Sequence, residues 1–216
     1  MKIFIPIKHN SQRVPGKNFR VLNNEPLYKH VLLKYLNHDV FVDTDSDEIL
    51  SQLSTDSRFN SVVCYKRPAH LMGDKTSVCD LIKHFISKFE ICDPIVQTHV
   101  TSPFLNLSIL EKAFGHMRNH DSVVSCNSHN SRFWRKEDYG YCPINHNPLK
   151  LEQTQDLPVL YEENSSFYIF SPDVVVATGN RIGKNPHFFS MHFPHNLDID
   201  TEEDWHLVKQ IMETKK

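Results

Sequence analysis

The fold is set near the amino end, where the chain reads Lys2-Ile3-Phe4-Ile5-Pro6-Ile7 and then Lys8-His9-Asn10-Ser11-Gln12-Arg13-Val14-Pro15-Gly16-Lys17-Asn18. An apolar run followed by a polar, turn-prone segment predicts a buried strand with a loop at its carboxyl end. Pro26 suits the first position of a helix. The apolar residues after it recur at helical spacing, at Leu27, Val31, Leu32, Tyr35 and Leu36. Strand, loop and helix in this order predict a βα unit.

The same alternation continues along the chain. Further strands are predicted at 40–42, 61–65, 94–101, 122–126, 166–170 and 197–200. Helices are predicted to follow the strands at 40–42, 61–65, 94–101 and 197–200. Cap spacings mark three of these helices, at Asp45 with Glu48, Ser77 with Asp80, and Thr201 with Asp204. This alternation predicts an α/β fold with a mostly parallel sheet flanked by helices and with ligands outside the carboxyl ends of the strands.

Residues 127–160 interrupt the alternation. They are rich in Asn, His, Pro and Arg and have little apolar periodicity, which indicates an excursion from the sheet. We expect this segment to be an arm that contacts a partner subunit, inserted in a single domain spanning residues 1–216.

Composition excludes several classes of function. The chain has 24 basic and 26 acidic residues, so it offers no overall positive charge to attract nucleic acid or an anionic membrane. No apolar run approaches the length of a membrane span, and the run at residues 3–7 is too short for a signal-peptide core. Five cysteines without C-x-x-C spacing argue against a disulfide framework or a thiolate zinc site. We therefore expect a cytoplasmic protein.

Fourteen histidines raise the question of a metal site. His116 and His120 stand four residues apart and would share a helix face, but no glutamate lies between them as in H-E-x-x-H. His192 and His195 lack a third partner in the sequence. The sequence alone therefore favours surface histidines over metal ligands.

Two groups of charged residues lie where an α/β sheet binds ligands. The loop after the first strand carries Lys8, Arg13 and Lys17, and this pattern suits an anionic ligand and a solvated basic loop equally well. Asp198 and Asp200 alternate on a predicted strand end, so their carboxylates would point the same way. A hard cation such as Mg²⁺ would relieve their repulsion, although carboxylates beside a helix amino end are commonly explained by the helix dipole.

Together these segments resemble one family. Ile5 to Asn18, with Arg20 and Pro26-Leu27, is similar to the I-P-A-R-x-x-S-x-x-x-P-x-K-N signature of the CMP-sialic acid synthetases, the acylneuraminate cytidylyltransferases. Further blocks follow in the family's order, at Val42-Asp43-Thr44-Asp45, Arg67-Pro68 with Gly73-Asp74 and Ser77, Thr101-Ser102-Pro103, Thr154-Gln155-Asp156-Leu157-Pro158 with Tyr161, Asn164 and Phe167 to Phe170, and Leu197 to Asp204. Only residues 127–150 lack a clear match.

The resemblance implies a Rossmann-like nucleotide-diphospho-sugar transferase fold and a homodimer joined through the arm. It implies transfer of CMP from CTP to the anomeric hydroxyl of a sialic acid-like 2-keto sugar acid, with release of pyrophosphate and with Mg²⁺ as cofactor. Implied nucleotide-binding residues are Lys8, Asn10, Ser11, Arg13, Lys17, Asn18, Arg67 and Ser77. Implied sugar-binding residues are His99, Thr101, Ser102, Gln155, Tyr161, Asn164 and Phe167. Asp198 and Asp200 would bind the metal, and with Lys8 and Lys17 they form the implied catalytic set.

The chain departs from the family pattern at several positions. Lys8 occupies a position where the family has arginine, and a lysine cannot make the bidentate contact of arginine with phosphate. Gln12 occupies a position where the family has lysine, whose charge Arg13 would replace. His99 stands for a glutamine, and Ser165 stands for a glycine. These departures leave two alternatives open, a cytidylyltransferase for a pseudaminic, legionaminic or eight-carbon ulosonic acid and a catalytically weakened nucleotide-binding homologue.

Overall fold

A seven-stranded sheet forms the centre of the computed structural model, which describes residues 1–73 and 75–214. In chain order the strands are β1 (Lys2–Ile7), β2 (Val21–Leu22), β3 (Glu25–Pro26), β4 (Asp39–Thr44), β5 (Val63–Lys66), β6 (Ile95–Thr98), β7 (Ser122–His129), β8 (Trp134–Glu137), β9 (Gly140–Pro143), β10 (Leu160–Phe170) and β11 (Pro186–Ser190). The main sheet has the order β11-β7-β10-β6-β1-β4-β5, and two small sheets pair β2 with β3 and β8 with β9.

Strand direction in the main sheet confirms the predicted mostly parallel fold. The pairs β11 with β7, β6 with β1, β1 with β4, and β4 with β5 are parallel, whereas β10 is antiparallel to both β6 and β7. Parallel neighbours need a crossover, usually a helix. The connection from β7 to β10 contains a hairpin and no α-helix, so the chain returns beside β7 in the opposite direction.

Helices cover both faces of this sheet. They are α1 (Leu27–Leu32), α2 (Asp47–Thr55), α3 (Val78–Phe89), α4 (Leu107–Phe114), α5 (Pro172–Thr178) and α6 (Glu202–Thr214). Side chains alternate between the faces of a strand, so Ile3, Ile5 and Ile7 pack under α1, α2, α4 and α6, while Phe4 packs under α3 and α5. Both sets are buried, which places β1 in the interior of the sheet.

Several element boundaries differ from the sequence-based predictions. The predicted helix through Leu36 ends at Leu32, and the chain then turns toward β4. Asp45 does not cap α2; Ser46 does, by accepting a bond from the backbone N–H of Ile49 at 3.2 Å. The helix predicted over 108–118 is α4 followed by a 3-10 turn at Gly115–Arg118. Strands predicted over 61–65 and 94–101 are shorter, because β5 begins at Val63 and β6 ends at Thr98.

The arm and the carboxyl-terminal segment also need correction. Residues 127–129 continue β7, the β8–β9 hairpin gives the arm regular structure, and β10 begins at Leu160 rather than at residue 166. The segment 197–200 is not a strand, although the backbone N–H of Ile199 bonds the carbonyl of Thr101 at 2.9 Å. The caps predicted at Ser77 with Asp80 and at Thr201 with Asp204 are confirmed.

Among the residues that the structure describes, no helix is both long and apolar enough to cross a membrane.

Candidate active site

A cleft of about 590 Å³ opens beyond the carboxyl ends of β1 and β6, where the parallel sheet was expected to bind its ligand. Its walls come from four separate segments of the chain: the end of β1 with the loop after it, the turn after β6, one residue of β10 and the extended segment before α6. The lining residues are Pro6, Ile7, Lys8, Asn10, Ser11, Gln12, Arg13, Lys17, Asn18, His99, Val100, Thr101, Ser165, Asp198 and Asp200.

The loop after β1 is folded back on itself by local hydrogen bonds. Gly16 has a φ of 64°, a left-handed conformation that glycine adopts without a side-chain penalty, and it precedes a 3-10 turn at Lys17–Phe19. The Asn18 side-chain amide donates to the carbonyl of Lys8 at 2.7 Å and holds the two ends of the loop together. Lys17 and Asn18 are buried as a result, and they line the cleft together with Lys8 and residues 10–13.

Lys17 connects the loop to the segment before α6. Its ammonium group donates to the carbonyl of Ile199 between the two aspartates. Burial lowers the pKa of Lys17, and the nearby carboxylates of Asp198 and Asp200 oppose that shift by favouring the charged form. The cleft therefore places one largely desolvated ammonium beside two carboxylates.

The two aspartates occupy different environments. Asp198 accepts a bond from the Ser102 hydroxyl at 3.2 Å, and its pKa is raised, first by burial and then by the charge of Asp200. Asp200 is more exposed and forms an ion pair with Arg13 at 2.7 Å. The raised pKa of Asp198 shows that a second negative charge is costly here, and an added cation would lower that cost.

Contacts on α6 fix the position of this carboxylate segment. The Asp204 carboxylate accepts the backbone N–H groups of Asp200 at 3.0 Å and of Thr201 at 2.8 Å. Arg20 makes a bidentate pair with Glu202 at 2.6 and 2.7 Å, which ties α6 to the chain just after the loop. Asp204 and Glu202 thus serve the helix and its docking and leave Asp198 and Asp200 facing the cleft.

His99 is held by a chain of polar contacts behind the cleft. The His99 Nε2 atom lies 2.8 Å from Nε2 of the Gln97 side chain. The side-chain Oε1 of Gln97 accepts a hydrogen bond from the Arg181 guanidinium. The Arg181 guanidinium in turn stacks 3.5 Å over the Tyr168 ring. Burial, followed by the charges of Arg181 and Lys17, lowers the pKa of His99 to about 4. The ring is therefore neutral at pH 7, and since Gln97 donates to Nε2, its proton resides on Nδ1.

A second cavity of about 210 Å³ shares Pro6, Lys8 and His99 with the cleft. Its other walls are Arg67, Thr76, Val78 and Leu81. Arg67 is almost fully buried and bonds the buried Asp43 carboxylate, while its Nη1 lies 4.0 Å from Asp45. Burial raises the pKa of Asp43, and the Arg67 contact works against that rise. This cavity is a small slot that combines apolar walls at Pro6, Val78 and Leu81 with one fixed guanidinium.

The structure brings ten of the predicted site residues together in the cleft: Lys8, Asn10, Ser11, Arg13, Lys17, Asn18, His99, Thr101, Asp198 and Asp200. Ser102 lies behind Asp198, and Arg67 lines the adjoining cavity. Five other predicted residues, Ser77, Gln155, Tyr161, Asn164 and Phe167, line neither space.

Those five side chains have other contacts or positions in the chain as described. The Ser77 hydroxyl caps α3, and Phe167 is fully buried against Phe189 in the core. Asn164 bonds Asn127 and the backbone N–H of Ser166. The remaining two lie on the arm side of the molecule, Gln155 in an exposed turn and Tyr161 stacked on Phe188.

Several residues that line or support the two spaces were not predicted as site residues, among them Ser165, Thr76 and Arg181. Ser165 lines the cleft at a φ of 57°, which explains why a glycine suits this position in the family pattern. Thr76 rather than Ser77 lines the second cavity. Arg181 supports His99 through Gln97 from far along the chain, and no local motif marks it.

Comparison with known proteins identifies the family. The profile of one family, described as Cytidylyltransferase, matches residues 3–215. The chain belongs to this family. The match spans nearly the whole sequence and includes every segment that lines the cleft, so the resemblance drawn from the motifs is confirmed.

Relatives in this family act on acidic sugars according to their names. The CMP-N,N'-diacetyllegionaminic acid synthase of Legionella pneumophila is 28% identical over 97% of this chain and 94% of its own length. The N-acylneuraminate cytidylyltransferase of Streptococcus agalactiae is 26% identical over 93% of this chain, and N-acylneuraminate cytidylyltransferase A of Danio rerio is 29% identical over 93%. This chain spans 50% and 48% of those two relatives, about half of each.

Solved structures support the fold. A CMP:2-keto-3-deoxy-manno-octonic acid synthetase complexed with CTP superposes with a TM-score of 0.69 at 17% identity, covering 99% of this chain and 98% of the other. A 4-diphosphocytidyl-2C-methyl-D-erythritol synthase gives 0.68 at 13% identity, covering 98% of each chain. The Rossmann-like nucleotidyltransferase fold expected from the motifs is thus confirmed.

Proposed function

We propose that this protein transfers CMP from CTP to the anomeric hydroxyl of a sialic acid-like 2-keto sugar acid and releases pyrophosphate. The observation that carries the proposal is the cleft itself, in which Lys8, Arg13 and Lys17 face Asp198 and Asp200 at the carboxyl edge of the sheet. A triphosphate needs several cations, and a metal bound to it needs carboxylates. Family membership supports the same substrate class.

The loop after β1 is suited to hold the triphosphate. Lys8 and Lys17 supply ammonium charges from opposite ends of the loop, and Asn10 and Ser11 supply polar side chains between them. Arg13 is paired with Asp200 in the absence of ligand, and its side chain is 68% exposed. In the proposal Arg13 turns from Asp200 to the phosphates, because an arginine binds phosphate oxygens in a bidentate manner.

Asp198 and Asp200 fit Mg²⁺ as a bound cofactor. The donor set is two carboxylates, which Mg²⁺ prefers together with substrate phosphates. Burial first, and then the charge of Asp200, raise the pKa of Asp198, and a bound cation would favour its charged form. Bound Mg²⁺ would neutralise charge on the phosphates and acidify the attacking hydroxyl. Ser102 orients Asp198 through its hydroxyl, and Asp204 fixes the backbone of Asp200.

The reaction breaks a phosphoanhydride bond of CTP and forms a phosphodiester bond to the sugar acid. The anomeric oxygen of the sugar acid bonds the α-phosphorus of CTP, the bond from that phosphorus to the bridging oxygen breaks, and pyrophosphate leaves. The hydroxyl proton is lost as the new bond forms. Lys8 and Lys17 can stabilise the negative charge that builds on the phosphate oxygens, so positioning and electrostatics account for most of the catalysis.

The base and the sugar would occupy the two ends of this space. The slot beside Arg67 and Thr76 is suited to a flat pyrimidine ring, and His99 separates it from the main cleft. Thr101 lines the main cleft beside the carboxylate segment, Ser165 also lines this cleft, and both would contact the sugar acid. The named relatives favour an N-acylneuraminic or legionaminic acid as that sugar.

Pyrophosphate release from CTP tests the proposal directly. The purified protein with Mg²⁺ is assayed against N-acetylneuraminic, legionaminic, pseudaminic and an eight-carbon ulosonic acid, and we expect release that depends on one of these sugars. Release with ATP or GTP in place of CTP should be much slower. Tight CTP binding without turnover on any sugar would contradict the proposed reaction and support the nucleotide-binding homologue instead.

Two substitutions separate the metal site from the phosphate site. Asp200→Asn should raise the Mg²⁺ concentration that gives half-maximal activity and lower kcat by about 10² or more, the scale of one lost electrostatic contact. Arg13→Gln should raise the KM for CTP and leave the Mg²⁺ requirement nearly unchanged. Asp173→Asn on α5 is a matched, exposed control that should alter neither. An unchanged Mg²⁺ requirement in Asp200→Asn would exclude that residue as a ligand.

The arm supports a homodimer. Residues 127–160 carry several exposed apolar side chains: Trp134, Tyr139, Tyr141, Ile144, Leu149, Leu151 and Val159. Exposed apolar groups at this density mark an interaction surface. Light scattering should give a dimer for the intact protein, and replacing Tyr139 and Tyr141 by serine should give monomers. A monomeric intact protein at micromolar concentration would contradict this.

We further propose that the protein is cytoplasmic. All five cysteines are free, which is the state expected in a reducing compartment.

A further inference from the structure

Three histidines that are far apart in the sequence meet at one edge of the main sheet. His116 lies in the 3-10 turn after α4, His120 lies just before β7, and His187 is the second residue of β11. The His116 and His187 rings stack with centroids 3.8 Å apart, and the His120 ring lies 5.0 Å from that of His187. One ring nitrogen of each lies within 4.8 Å of the other two.

This spacing is close to that of a metal site. Zinc binds imidazole nitrogen at about 2.0 to 2.1 Å, so two nitrogens in a tetrahedral complex are separated by about 3.3 Å. Rotation of the three partly exposed rings about their side-chain bonds can close the difference, and no backbone element needs to move.

One of the three rings is already oriented as ligating histidines usually are. Nδ1 of His120 lies 3.1 Å from the carbonyl oxygen of His116 and donates to it, which leaves the lone pair on Nε2. Ligating histidines commonly use one nitrogen for the metal and give the other N–H to a backbone carbonyl.

The cluster is separate from the proposed active site. His187 pairs with Val123 at the amino ends of β11 and β7. The active-site cleft lies at the carboxyl ends of β1 and β6, and β7 runs in the same direction as these strands because both β6 and β7 are antiparallel to β10. The histidines therefore lie at the amino ends of the parallel strands, on the opposite side of the sheet from the cleft, and nothing in the proposed reaction uses them.

We propose that His116, His120 and His187 form a binding site for a divalent transition metal ion, with zinc as the expected occupant. Three imidazoles favour zinc, copper or nickel over Mg²⁺ or Ca²⁺, which prefer oxygen ligands. The neighbouring Asp121 carboxylate is committed to the Ser122 hydroxyl and to the backbone N–H groups of Lys184 and Asn185. The fourth position on the metal is therefore left to water or to a ligand from outside the chain.

Metal binding at this site would stabilise the folded protein. A metal there joins the edge strand β11 to the connection between α4 and β7, two segments about 70 residues apart, and it binds only when the protein is folded. Saturating zinc should therefore raise Tm. For a chain of this size, zinc at 100 times its Kd should raise Tm by about 5 to 10 °C.

Zinc binding to the tag-free, chelator-treated protein provides the test. Calorimetric titration should give one zinc per chain, and Co²⁺ in its place should give the intense visible absorption of a tetrahedral complex. His187→Gln should bind zinc at least about tenfold more weakly, since losing a direct ligand costs no less than losing an outer-shell partner. It should also lose the zinc-dependent rise in Tm.

Two controls keep the test decisive. Eleven of the 14 histidines lie outside the cluster, and the exposed His192 is one of them. The His192→Gln variant should bind zinc as the unsubstituted protein does, so it controls for the loss of a histidine outside the cluster. Tm measured with a chelator shows whether His187→Gln is folded, and His120→Asn tests a second ligand if it is not. Equal zinc affinity in the unsubstituted protein and both ligand variants, or no saturable binding in any of them, would overturn the proposal.

Discussion

Replacing Arg67 by methionine should destabilise the protein far more than any surface charge change. Arg67 and Asp43 are 1% and 0% exposed, and they bond each other directly. Removing one partner of a buried pair leaves the other charge uncompensated and costs about 3–5 kcal/mol. A single domain has a free energy of unfolding of about 5–15 kcal/mol, so this loss is a large share of the total.

The effect should depend on pH in a defined direction. Burial already raises the pKa of Asp43 above its ordinary value of 3.8, and loss of Arg67 removes the contact that holds it down. A carboxyl whose pKa is raised on folding favours the folded state below its unfolded pKa, and that contribution is lost as the pH rises through the folded pKa. The difference in unfolding free energy between the two proteins should therefore shrink as the pH is lowered from 8 toward 5.

Urea unfolding followed by circular dichroism measures both effects. Lys66→Met is the matched control, because Lys66 is the adjacent residue and pairs with Asp47 at 2.6 Å, with side chains 40% and 88% exposed. An exposed pair of this kind contributes about 0–1 kcal/mol. If both variants lost the same free energy, or if the loss in Arg67→Met did not vary with pH, the assignment of a buried, charge-compensated pair would be wrong.

Five further substitutions test other parts of the structure. Ser77→Ala should cost about 1 kcal/mol in urea unfolding through loss of the α3 cap and leave the KM for CTP unchanged, whereas a raised KM would restore Ser77 to the nucleotide site. Leu110→Ala in the core should cost about 2–5 kcal/mol and the exposed Leu149→Ala under about 0.5, and equal losses would contradict the packing. Lys17→Met should lower kcat/KM by about 10²–10³, and full activity would remove it from the site. His99→Gln should change the ranking of sugar acids by kcat/KM with the KM for CTP nearly unchanged, and an unchanged ranking would shift specificity to Gln97 or to residues 154–168.

Local chemistry made much of the fold predictable. The apolar spacing of α3 and its cap at Ser77 with Asp80 are contained in a dozen consecutive residues, and α6 is marked in the same way by Thr201 with Asp204. The cap of α2 was misassigned because Asp45 and Ser46 are both good caps. A tertiary contact decides between them, since the Asp45 carboxylate accepts the backbone N–H of His9 at 2.6 Å.

The candidate site was predictable only in its short-range parts. The loop from Lys8 to Asn18 and the aspartates at 198 and 200 each form a recognisable segment, and the sheet brings them together. Phe167 belongs to a segment that resembles the family but faces the core, because alternate residues of β10 face opposite sides. Arg181 and His187 contact their partners across 84 and about 70 residues, and no sequence pattern carries that information.

The contact between Lys17 and the Ile199 carbonyl joins residues 182 positions apart, and Arg20 with Glu202 repeats the same separation. During synthesis on the ribosome the first strand and its loop emerge long before residues 198–204, so the cleft forms only after most of the chain has been made. Nucleotide therefore cannot stabilise early folding intermediates through this site. If the proposed function holds, release of residues 198–204 from the ribosome marks the earliest moment at which CTP can stabilise the fold, and a nascent chain that lacks them must form its native sheet without that ligand.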